Sequence, residues 1–123
     1  MAPTIYEDTN PRELSELLSE VNTGSAVLPE FQRNFVWDPP DVASLLVSIM
    51  EGYPAGSVLR IRNTNDYFQW RRFQGASAAT AIKPVFLVLD GQQRLTSLYQ
   101  ALYGVGEERF FVVLELVKDD RRL

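Results

Sequence analysis

The chain has 123 residues, a formal net charge of -4, 46% hydrophobic and 23% charged residues, which describes one globular domain rather than a disordered tail. Cysteine and histidine are both zero, which excludes disulfides, thiolate chemistry, imidazole metal ligands, a Ser–His–Asp triad and a histidine-bearing nuclease centre from this stretch. The acidic balance argues against coating DNA by charge alone, no apolar run reaches the roughly 20 residues of a membrane span, and MAPTIYEDTN lacks the pattern of a signal peptide, so a cytoplasmic location is expected.

Residues 10–22 predict a helix. Asn10 can cap it, Pro11 suits its first position, and Glu13 completes a capping-box spacing. Leu14, Leu17, Leu18 and Val21 recur at i, i+3, i+4 and i+7, one apolar stripe. Thr23-Gly24-Ser25 stops the helix, and residues 26–28 suit a short strand. Asp38-Pro39-Pro40-Asp41 opens a second helix over 39–51, with Asp38 as cap and Val42, Leu45, Leu46 and Ile49 as its stripe. Alternation over 57–62 predicts a strand with two unlike faces, and another is expected over 67–73. Small residues at 74–83 read as a loop. The continuous apolar run within 84–90 has the pattern of a buried strand. Leu95, Leu98, Tyr99 and Leu102 mark a third helix over 92–103, and residues 109–117 read as a last strand. The order predicts a small α+β domain, about three helices on one side of a mixed sheet. Residues 1–123 read as a single domain, the N-terminal piece of a longer multi-domain protein.

Three stretches carry residues suited to chemistry. The first is Asp90-Gly91-Gln92-Gln93-Arg94, where a buried strand feeds a helix. Strand ends of this kind gather ligands, glycine permits close approach, and a helix start offers unpaired N–H groups to phosphate. Arg94 sits where a helix prefers acidic side chains, yet its fork suits phosphate oxygens. Asp90 could hold Mg²⁺ or orient water, and Gln92 and Gln93 could position water or read a base edge. The plain alternative is that Asp90 caps the helix while the other side chains face solvent. The second stretch, residues 28–37, interleaves Phe31, Phe35 and Trp37 with Gln32 and Arg33. Such a mixture can stack on a base and bond its edges, or simply plug the gap between two helices. In the third, Gly56 and Ser57 could approach a phosphate or merely form a turn. Arg60, Arg62, Arg71 and Arg72 crowd into thirteen residues and could form one basic site.

The strings LPEFQRNFVW, GYPAGSVL and VLDGQQRLTSLYQALYG, in this order, resemble the GmrSD-type N-terminal domain family over roughly residues 10–117. The resemblance implies a fold related to ParB and sulfiredoxin, and membership in modification-dependent restriction or anti-phage systems. It implies that Asp90, Gln92, Gln93 and Arg94 form a site hydrolysing a nucleoside triphosphate, with Gly91 allowing phosphate approach. It implies that Phe31, Gln32, Arg33, Phe35 and Trp37 contact DNA, modified DNA among its targets, and that a nuclease domain lies downstream or in a partner. Two further readings stay open: a ParB-like module that binds nucleotide or DNA without turnover, and a piece that mainly docks to partner domains. Homo-oligomerisation is compatible with all three.

Overall fold

The computed structural model describes residues 13–54, 56–64, 69–76 and 83–111. In chain order its elements are α1 (Leu14–Thr23), β1 (Ala26–Pro29), α2 (Pro39–Met50), β2 (Leu59–Arg62), β3 (Trp70–Arg71), β4 (Phe86–Asp90) and α3 (Gln92–Tyr103). The architecture is α+β, as expected, with three helices and a four-stranded mixed sheet. Asn10 and Pro11 lie outside the described residues. Glu13 occupies the position before α1 and makes no side-chain cap bond. The strand expected over 67–73 is confined to Trp70–Arg71, with 65–68 outside the described residues. Residues 109–111 are not a strand, and 112–117 lie outside the described residues.

The sheet runs β2-β4-β1-β3. β1 and β4 pair in parallel at the centre, with Ala26 opposite Phe86 and Val27 opposite Leu87. Their residues are apolar in succession because a central strand is shielded on both faces; Val27 and Leu87 are as deeply buried as Leu28 and Val88. β2 lies antiparallel to β4, with an irregularity between Leu59 and Arg60, and β3 lies antiparallel to β1.

The stripes read from the sequence meet in one core, except that Leu102, expected on the apolar face of α3, is 57% exposed because the last turn of that helix runs past the sheet. Leu18 and Val21 of α1 pack with Ala26, Leu28 and Val88 of the sheet and with Leu95, Leu98 and Tyr99 of α3. Phe73, just beyond β3, completes it. Fully burying one such side chain contributes roughly 1.5–3 kcal/mol, so this cluster outweighs any single polar contact in holding the elements together. α2 contributes Val42 as a buried residue, with Leu45, Leu46 and Ile49 partly covered. At its start the Asp38 N–H donates to the Asp41 carboxylate at 3.3 Å, as the capping spacing predicts. Gly24 closes α1 at φ 86, and a Cβ there would sit 1.7 Å from the Arg72 guanidinium. Glycine is required twice over, by conformation and by space.

The sheet order corrects one expectation. Arg60 and Arg62 lie on β2 while Arg71 ends β3, and these strands are opposite edges of the sheet. The thirteen-residue arginine cluster is therefore not one basic site. Closeness in sequence is undone by the chain crossing from one edge to the other.

Candidate anion pocket at the mouth of the third helix

β4 ends at Asp90, and Gly91 turns the chain at φ 88 into α3. A Cβ at Gly91 would stand 2.9 Å from the Ser57 carbonyl oxygen, so the turn brings the 56–57 loop against the helix start. No side chain caps α3, which excludes the plain reading of Asp90 as its cap; Asp90 is exposed. The first intrahelical bond runs from the Leu95 N–H to the Gly91 carbonyl at 3.0 Å. The N–H groups of Gln92, Gln93 and Arg94 precede it, the donors that a helix leaves unpaired at its positive end.

Arg94 is half-buried rather than splayed into solvent. Its Nη2 donates to the Ser57 carbonyl oxygen, and its Nε would lie 3.0 Å from a Cβ on Gly56. Gly56, Ser57, Gly91 and Arg94 are thus brought together.

The aromatic segment is fastened to the same place. The Gln32 side-chain amide donates to the Leu89 carbonyl at 2.9 Å. Gln93, 8% exposed, accepts from the Val36 N–H at 2.9 Å and donates to the Asn34 carbonyl at 3.0 Å. Arg71 reaches in from β3: Nη1 donates to the Asn34 side-chain oxygen and Nη2 to the carbonyls of Gln32 and Arg33. Of the three aromatics, Phe35 and Trp37 are half-buried, but Phe31 is 66% exposed, so it does not plug the interior.

These contacts wall a cavity of about 230 Å³. Arg33, Arg71 and Arg72 line it together with the amides of Asn34, Gln74, Gln92 and Gln93, the Thr96 hydroxyl, and Phe35 and Leu28. Among the described residues no carboxylate lines it. Among the described residues Arg71 meets only neutral oxygens, and its buried Nε has no hydrogen-bond partner. Guanidinium groups in a concave, partly desolvated wall attract anions far more strongly than they would in open water. Pockets enclosing whole drug-sized ligands measure roughly 300–1,000 Å³, so this one suits one end of a nucleotide, a phosphate or a base. Asp90 and Arg94 do not line it; they stand at the helix start itself.

The sequence reading singled out Gln92, Gln93, Arg33 and Phe35, which the fold does gather. It missed Asn34, Gln74 and Thr96 as wall residues, and it grouped Arg71 and Arg72 with Arg60 and Arg62 of the opposite sheet edge. Tyr99, deep in the core, has its phenol pushed above its ordinary value by burial and secondarily by Tyr103; its hydroxyl donates to the Asn22 side chain at 2.8 Å, and it belongs to the packing rather than to the site.

The class is thus an α+β domain whose pocket, lined by arginines and amides, opens beside the start of α3. Residues 14–122 match the family described as GmrSD restriction endonuclease, N-terminal domain, and the chain belongs to it. It is 38% identical over 124 residues to the uncharacterized protein MJ0686 of Methanocaldococcus jannaschii, covering 89% of this chain and 21% of the relative. The chain therefore spans about a fifth of that relative's length. No solved structure matches it, so the likeness to ParB and sulfiredoxin stays an expectation. Among the described residues no helix is long and apolar enough to cross a membrane.

Proposed function

We propose that this domain binds a nucleoside triphosphate at the mouth of α3, hydrolyses it, and uses that cycle to regulate a DNA-restriction nuclease located outside this chain. The observation that carries the reading is the pocket wall where Arg71, held by neutral oxygens, and Arg33 stand with no carboxylate among the described lining residues, beside the first N–H groups of α3. In this reading the first turn of α3 and Arg94 hold phosphate oxygens. Gln92, which lines the pocket, is placed to position water. Phe31, exposed beside Gln32 and Arg33, faces DNA.

Mg²⁺ fits the residues present only as part of a nucleotide complex. Among the described residues no group of three or more acidic, histidine or cysteine side chains could hold a metal. Mg²⁺ is commonly held by one or two carboxylates together with substrate phosphates, and Asp90 at the end of β4 supplies one carboxylate. When bound, the ion would neutralise charge on the phosphates.

A second reading, binding without turnover, is favoured by Gln93. Both ends of its amide are already engaged by the loop, which leaves it poorly suited to orient a water. Calorimetric titration of GTP and ATP with Mg²⁺, run beside a phosphate-release assay, separates the readings. Binding with release supports hydrolysis, binding without release supports the second reading, and no binding by either nucleotide overturns both.

A further inference from the structure

We propose that Gln93 is a positioning residue that links the mouth of α3 to the aromatic loop 31–37, so that an anion at the helix start is felt by that loop. This rests on the nucleotide reading above and adds to it the route by which occupancy is passed on.

The geometry is specific. Gln93 accepts from the Val36 N–H and donates to the Asn34 carbonyl. These are the two backbone groups that one residue of a neighbouring strand would engage through its own C=O and N–H in a parallel sheet, and the side-chain amide takes that residue's place. The polarity admits one orientation only, since the carbonyl must face the N–H and the amino group must face the other carbonyl. A bond in the reverse direction closes the link, from the Gln32 amide to the Leu89 carbonyl on β4. Segments 32–36 and 89–93, some 57 residues apart in the chain, therefore grip each other twice, once from each side. Gln93 is the second residue of α3, and its own N–H is among the donors an incoming phosphate would engage. A shift of the first turn on binding is carried to residues 34–36 through one buried, fully oriented side chain. Packed elements of this kind pass on small displacements rather than absorbing them.

The test uses the 123-residue chain carrying Trp70→Phe, which leaves Trp37 as the lone tryptophan of the original two. ATP and GTP with Mg²⁺ are titrated while Trp37 emission is followed, and exchange of the Val36 amide is measured separately. In the chain with Gln93 intact, nucleotide changes Trp37 emission. In Gln93→Met, titrated to saturation, the emission change is lost and Val36 exchanges roughly tenfold faster, the effect of losing one to two buried hydrogen bonds. Gln93→Glu keeps an acceptor for Val36 but loses the donor to Asn34, so its emission change falls to an intermediate value; this arm decides the matter should the methionine variant fail to fold. A full emission change in either variant overturns the link while leaving nucleotide binding in place. No binding by the chain with Gln93 intact overturns the functional reading, and the link with it.

Discussion

The two edges of the sheet each carry arginines, and they use them in opposite ways. On β2, Arg60 donates to the Glu20 carboxylate at 2.7 Å and stacks 3.6 Å over the Phe86 ring. Arg62 lies 5.5 Å from the same ring. There the guanidinium charge of Arg60 is matched by a carboxylate, and the group serves to fasten α1 to the sheet. At the other edge, Arg71 holds the loop through neutral oxygens and lines a cavity with Arg33 and Arg72. A carbonyl satisfies a guanidinium's hydrogen bonds without cancelling its charge, so in the proposed reading Arg71 keeps its attraction for an anion. Composition counts all these arginines alike; their partners distinguish a brace from a binding site.

The largest expected effect lies at the mouth of α3. In a full-length relative of this chain, Arg94→Ala should cut phosphate release by about 10³–10⁵-fold if Arg94 stabilises phosphate charge. A melting curve should show the fold intact, because one hydrogen bond to Ser57 contributes only about 0.5–3 kcal/mol. Gly91→Ala comes next. It places a side chain at a positive φ and 2.9 Å from the Ser57 carbonyl, and should destabilise by roughly 1–3 kcal/mol in denaturant unfolding.

Much of this was legible in the sequence. The stripes of the helices, the buried run before Asp90 and the limits of α3 follow from periodicity, and the structure reproduces them. Gln93 was legible as a site residue but not as a clasp, because its partners lie 57 and 59 residues away and only tertiary pairing reveals them. Arg71 faces the loop because β3 pairs with β1, Arg71 opposite Leu28. A two-residue strand has too little alternation for that register to be read. The arginine run misled for the same reason, since sequence spacing says nothing of which sheet edge a strand occupies.

The smallest predicted effect concerns the core. Tyr99 has a raised phenol pKa because burial disfavours its ionised form. Its contribution is fully present below the ordinary tyrosine value of 10.0 and is lost as pH rises through the higher folded-state value. Denaturant midpoints should therefore fall above about pH 10, and Tyr99→Phe should flatten that fall while costing about 0.5–1.5 kcal/mol at neutral pH through the lost bond to Asn22.

The contrast between the edges is tested most directly by calorimetric titration of GTP and ATP with Mg²⁺ into three chains: unsubstituted, Arg71→Met and Arg60→Met. Nucleotide should bind the first, bind at least tenfold more weakly to Arg71→Met, and bind Arg60→Met as it binds the unsubstituted chain. Equal affinity across all three, or loss in Arg60→Met alone, would contradict the assignment of the β3 edge as the anion site.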